Sequence, residues 1–228
     1  WHAERDRVAE IAAALGVVSG AMAKIATDLV LLAQTEVGEV SEGAAPGKGG
    51  SSAMPQKRNP VDATFALAAA RLAMGAVPVV LSGMAQEQER AVGGWQAEWE
   101  ALPDLFLATA SAVERVRQAL DGLEVDAVRM RENLGMGGGL LLSESLTMAL
   151  ARRVGRPAAY RLVQAAVARV REDGTTLRDA AVADEQIRAV LSEDEIDQAL
   201  DPAGYIGSAD VFIDRALVRY REVRAAVQ

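Results

Sequence analysis

Between Val8 and Leu32 the apolar residues Val8, Ile11, Leu15, Val18, Met22, Ile25, Leu29 and Leu32 recur at alternating steps of three and four. A period of 3.5 residues held without a break marks one long helix packed at a shallow angle in a bundle or coiled coil. Extended to some thirty residues, such a rod runs about 45 Å at roughly 1.5 Å per residue. Small globular domains have little use for a rod of that length. Long helical bundles, often oligomeric, are built from it. The composition agrees: 45 of the 228 residues are alanine, which favours helix and lets helices approach closely.

Composition also excludes several chemistries. With no cysteine there is neither a disulfide framework nor a thiolate zinc site. A single histidine, His2, rules out a histidine-rich metal centre and a Ser-His-Asp triad well inside the chain. The net charge of −8 speaks against nonspecific nucleic-acid binding, which needs a basic surface. Without cysteine or a visible targeting segment, a cytoplasmic location is expected. The opening at Trp1, straight into a helical pattern, reads as a piece of a longer protein.

Residues 63–84 approach the length of a membrane span. Arg71 lies inside that stretch, where a charge costs about 2.5–3.5 kcal/mol on insertion scales. Pro78 interrupts it and alanine dominates it. A helix buried on all sides by other helices is the better expectation, and no membrane partner is expected.

Residues 41–60, SEGAAPGKGGSSAMPQKRNP, hold four glycines, three prolines and three serines. They predict a long polar loop, and long loops in compact helical proteins are usually functional or disordered. Asn59-Pro60 then opens the next helix. Gly93-Gly94 marks a bend, and a helix follows over about 98–120 with Pro103 close to its start. Shorter segments are expected near 124–134, 142–154, 157–172, 176–182, 184–191, 193–200 and 208–226. No period-two alternation is long enough for a sheet. The expected fold is all-α: a long-helix bundle segment over 1–122 and a smaller helical domain over 123–228.

The loop is not a Walker phosphate loop, because Glu42 stands where its first glycine belongs and Gly49 follows Lys48. It does gather two hydroxyls, two cations and two amides between Ser51 and Asn59. Glycines beside them allow backbone N–H groups to approach a ligand. Local positive charge in an acidic chain suits a carboxylated small molecule. Composition alone favours a solvated glycine-serine linker.

The string Gly50-Ser51-Ser52-Ala53-Met54-Pro55-Gln56-Lys57-Arg58-Asn59-Pro60 resembles, at every fixed position, the GSSxMPxKxNP signature of the fumarase/aspartase superfamily. That resemblance implies that Ser51 exchanges the proton on the carbon beside a carboxylate. A serine hydroxyl is a poor base, so nearby cations and N–H groups must hold its oxyanion. Lys57 and Asn59 would stabilise the resulting aci-carboxylate. Ser52 and Met54 are further expected substrate contacts. Arg58 reads better as a surface cation.

Against the adenylosuccinate lyase pattern the chain runs without a gap from its start to Lys24. Arg5 coincides there with a basic residue, and Trp1 stands at the substrate-binding glutamine, so both are candidate substrate contacts. The pattern then departs. Thr64 stands where those lyases carry glutamate, Phe65 where they carry arginine, and Trp95 and Trp99 lie in the nucleotide region. A closer resemblance is to the bacterial 3-carboxy-cis,cis-muconate cycloisomerase family. It is carried by Trp1, His2, Arg5, Asp6 and Arg7, by TEVGEV over 35–40, by AAPGKGGSS, by VGGWQAEW over 92–99, and by VDAVRMRENL and GGGLLLSESLTMAL.

This resemblance implies a homotetramer with active sites shared between subunits, a small tricarboxylate substrate, no cofactor and no metal. Arg90 would hold a substrate carboxylate, or else pair with Glu87, Glu89 or Glu98. Trp95 and Trp99 would close the pocket or fill the bundle core. The superfamily's acid histidine belongs to a half not present in this sequence, and Thr64 in place of glutamate puts a histidine–glutamate relay in doubt. The fragment by itself is expected to be inactive. Two other readings stay open: an adenylosuccinate- or argininosuccinate-type lyase, and a non-catalytic helical scaffold.

Overall fold

In the computed structural model, which describes residues 2–43, 54 and 58–227, the 3.5-residue stripe becomes helix α1, Asp6–Leu32. Two partners complete a three-helix unit: α2, Val61–Ser82, and α3, Gly94–Asp121. A short helix α4, Ala127–Gly135, follows. The all-helical expectation holds but for one detail. Val40–Ser41 (β1) and Glu124–Val125 (β2) form a two-residue antiparallel ladder, with Val40 opposite Val125 and Ser41 opposite Glu124. Two residues are too few to show an alternation in sequence.

Alanine sets how closely the three helices pack. On α2, Ala63, Ala66, Ala70 and Ala73 step by three, four and three and are all fully buried. Toward one end they meet Ala26, Leu29, Val116 and Ala119. Toward the other, Ala73 and Val80 meet Ala12, Ala101 and Leu105. A buried hydroxyl pair, Ser19 Oγ and Thr109 Oγ1 at 3.0 Å, joins α1 to α3 between them. It satisfies both polar groups, which would otherwise carry a desolvation cost.

The expectation of a helix buried on all sides is corrected. Phe65, Leu72 and Met74 of α2 are exposed, as are Ile11, Val18, Phe106 and Leu107 on its neighbours. Three helices can cover only one face of each. By length and composition α1 and α2 are each apolar enough to cross a bilayer. Pro78 does not interrupt α2, and Pro103 sits well inside α3, which begins at Gly94. The start is earlier than expected because Gly93 takes φ +90 and the Gln96 side chain accepts its N–H at 2.8 Å.

The chain divides into compact units of residues 1–130 and 131–228. Residues 123–130, expected to open the second domain, lie with the first. The ladder holds Glu124 and Val125 there, Asp126 N–H donates to Glu39 O, and Arg129 Nε donates to Val37 O at 3.0 Å.

The second unit is a helical cluster: α5, Ser143–Val154; α6, Arg156–Asp173; α7, Leu177–Val182; α8, Glu185–Arg188; α9, Glu193–Ala199; and α10, Ala209–Val227. Its core centres on Leu146, Leu150, Leu177, Ile187 and Ile196. Side chains readable in sequence start its short helices. Thr176 accepts from Asp179 N–H, Asp184 from Gln186 and Ile187 N–H, and Ser192 forms a reciprocal box with Glu195.

Candidate functional site

Residues 58–60 lead directly into the first turn of α2. Beside them opens a cleft of about 910 Å³. Met54, Arg58 and Asn59 of the signature line it, and so do Gln34, Thr35 and Glu36 from the turn after α1. The TEVGEV block and the signature, separate in sequence, therefore meet at one place. Thr64 and Phe65 complete the wall. Thr64 Oγ1 donates to Pro60 O at 2.7 Å, a back-bond within the helix start. Arg115 lies 5.4 Å from the Phe65 ring centre and pairs with the buried Asp62 at 2.9 Å. Arg58 pairs with Glu124 at 2.8 Å. Both groups are largely solvated, so that pair contributes little to stability.

The remaining expected site residues fall into two sets. Ser51, Ser52, Lys57 and Trp1 lie outside the described residues. Arg5 and Arg90 are described, and they are far from the cleft. Arg5 Nε donates to Glu98 Oε1 at 3.0 Å, and a second guanidinium nitrogen contacts Glu98 Oε2. Both side chains are deeply buried, 11% and 4% exposed. Forked, buried and hydrogen-bonded, this pair ties the start of α1 to the first turns of α3. Arg5, expected to face substrate, is thus engaged by Glu98, and Glu98 is not the partner of Arg90.

Arg90 sits in the turn between α2 and α3. It and Gln88 take positive φ, +54 and +58, a conformation that costs an ordinary side chain energy. Its guanidinium lies 5.8 Å from the Trp95 ring centre, a cation–π arrangement. Trp95 meets His2 and Trp99 edge to face, at 5.7 and 5.2 Å between ring centres. Trp99 is 58% exposed, which removes it from the bundle core. The turn is tight where α2 ends: a Cβ on Gly83 would lie 3.1 Å from Glu98 Oε1.

These two groups occupy opposite ends of α2. Its 22 residues separate them by roughly 33 Å at about 1.5 Å per residue. One chain therefore does not bring Asn59 and Arg90 to the same small ligand. Among the described residues no group of three or more His, Asp or Glu gathers as a metal site. Sequence reasoning missed Gln34 and Glu36 as cleft residues; the TEVGEV block was visible, but nothing in it showed which side chains would meet the signature.

Comparisons with known proteins add the following. Residues 2–75 match the family model described as Lyase, and residues 139–216 match that of the adenylosuccinate lyase C-terminus. The chain is 48% identical over 220 residues to the 3-carboxy-cis,cis-muconate cycloisomerase of Pseudomonas aeruginosa, covering 96% of this chain and 48% of that protein. It is 43% identical over 217 residues to the enzyme of the same name from Bradyrhizobium diazoefficiens, covering 95% and 48%. The crystal structure of the 3-carboxy-cis,cis-muconate lactonizing enzyme from Pseudomonas putida superposes with a TM-score of 0.91 at 43% identity, over 97% of this chain and 50% of that one. The chain spans about half the length of the curated relatives it matches.

Proposed function

Because the chain belongs to the fumarase/aspartase superfamily, most like its 3-carboxy-cis,cis-muconate cycloisomerases, we propose that the full-length protein converts 3-carboxy-cis,cis-muconate to 4-carboxymuconolactone. One observation carries the reading: Met54, Arg58 and Asn59 of the superfamily signature line the same cleft as Thr35 and Glu36 of the second matching block.

The reaction is an isomerisation, so no atom is lost. A carboxylate oxygen of the substrate attacks an alkene carbon and forms the C–O bond. The alkene electron pair moves to the neighbouring carbon and onto its carboxylate, giving the aci-carboxylate. Ser51 then delivers its proton to that carbon, and in reverse takes it back. Lys57 and Asn59 stabilise the charge on the carboxylate oxygens, where fixed donors count most. Ser52 and Met54 line the substrate, and Arg90 holds a further carboxylate. Arg5 acts through Glu98 as support for that end of the bundle, and Trp1 is kept as a substrate contact of this reading.

The separation of Asn59 from Arg90 and the exposed apolar faces of α1, α2 and α3 support a homotetramer in which different copies complete each site. A site of this kind needs the other half of the full chain as well, so residues 1–228 alone are expected not to turn over. The substrate is a small tricarboxylate, with no cofactor, and a soluble cytoplasmic setting suits it. Thr64 and Phe65 at the cleft wall, where the adenylosuccinate-type pattern carries an acidic and a basic residue, disfavour that alternative.

The test is to incubate the full-length enzyme with 3-carboxymuconate and follow the loss of its ultraviolet absorbance. Loss of absorbance with formation of the lactone is expected. No loss, with fumarate released from adenylosuccinate, would replace this reading by the lyase. Inactivity on both substrates in a stable oligomer would favour a scaffold.

A further inference from the structure

The chain enters and leaves the signature stretch through a narrow stem. On the way in, β1 pairs with β2 and Gly43 follows. A Cβ on Gly43 would lie 2.7 Å from Gly122 O, and one on Gly122 would lie 3.2 Å from Gly43 Cα. The two backbones touch where neither leaves room for a side chain. On the way out, Asn59 and Pro60 lead into α2.

Glu42 joins these two strands of the stem. The residue is only 7% exposed. Its Oε1 accepts Ala63 N–H at 2.8 Å and its Oε2 accepts Asp62 N–H at 3.1 Å. A buried carboxylate is costly unless hydrogen-bonded and placed against positive charge. Here it takes N–H groups that a helix start leaves without partners, at the positive end of a long helix dipole. Pro60, the residue at the cap position, makes no side-chain cap bond. Asp62 in the same turn is directed to Arg115 and so does not compete. An ordinary cap is local; this one comes from twenty residues upstream, across the whole signature.

We propose that Glu42 is a positioning residue: its carboxylate fixes the residue before the signature to the helix start after it, and so sets where Asn59 stands in the cleft. The role rests on the cycloisomerase reading for the reaction it serves.

The test uses the full-length protein carrying Glu42→Ala, Glu42→Gln or Gly122→Ala. In Glu42→Ala we expect kcat to fall about 10- to 100-fold, the scale of a misplacement near 1 Å, with KM changed by less than about threefold. Amide exchange at Asp62 and Ala63 accelerates, and the Asn59 side-chain amide signal shifts. Glu42→Gln keeps one acceptor oxygen and recovers part of kcat. Gly122→Ala displaces Gly43 without touching the charge and also lowers kcat, which keeps the test open if Glu42→Ala fails to fold. Wild-type kcat per folded molecule in Glu42→Ala, with only a lower melting temperature, would reduce Glu42 to a structural cap and overturn the proposal. If wild type fails to turn over 3-carboxymuconate, the cycloisomerase reading falls by itself. The clamp is then judged by the Asn59 signal, and an unmoved signal in Glu42→Ala overturns it.

Discussion

Arg5 and Glu98 are 93 positions apart in sequence and share one buried, forked ion pair. Nothing local in either residue announces the other, which is why Arg5 reads from sequence as a substrate contact and Glu98 as a partner for Arg90. Removing one member leaves a buried charge without compensation, at a cost of about 3–5 kcal/mol. Glu98→Gln is therefore predicted to lower unfolding stability by that order, measured by urea denaturation of the full-length protein. A loss below about 1 kcal/mol, typical of solvated pairs, would contradict the burial seen here. Ser51 is a different case: it is proposed from its motif alone and lies outside the described residues. Ser51→Ala is predicted to lower kcat by about 10²–10⁴, the usual range for a lost proton-transfer group, with unchanged helicity by circular dichroism. Unchanged turnover would remove Ser51 from the mechanism.

At the scale of elements, legibility followed the range of the interaction. The rod α1 shows in the sequence because its period repeats at every turn. The helix starts at Thr176, Asp184 and Ser192 show because a cap acts within three residues. The start of α3 at Gly94 and the ladder of Val40 with Val125 do not, because one depends on a glycine turn and the other on a partner more than eighty residues away. Salt links between the short helices of the second unit make a prediction of their own. Arg153 bonds Glu195, and Arg178 bonds Asp197 and Glu193. The arginines hold the Glu195 and Asp197 carboxyls below their ordinary values of 4.5 and 3.8. A depressed folded-state value contributes stability that is present above the ordinary value and is lost as pH falls through the depressed one. Melting temperature should thus decline as pH drops below about 4.5, and less steeply at high salt, because these groups are solvated. A melting temperature flat from pH 5 to pH 2.5 would contradict the link.

For the whole molecule, the decisive fact is the length of α2. Its 22 residues keep the signature cleft and the Arg90–Trp95 turn roughly 33 Å apart, and each end carries residues to which the proposed reaction assigns a part. The fold class and the signature could be read in sequence. This separation could not, because motif blocks give residue types and order but not which end of a rod each one occupies. The account requires that one copy supply the cleft and another the arginine.

Mixing two defective full-length variants tests that requirement most directly. Ser51→Ala and Arg90→Ala, each with low turnover of 3-carboxymuconate alone, are unfolded together and refolded so that subunits mix. Hybrid assemblies contain some sites with both Ser51 and Arg90 intact, so turnover is predicted to rise well above that of either parent treated in the same way. Hybrids no more active than the parents would show that one chain supplies both residues to each site, against the geometry of α2.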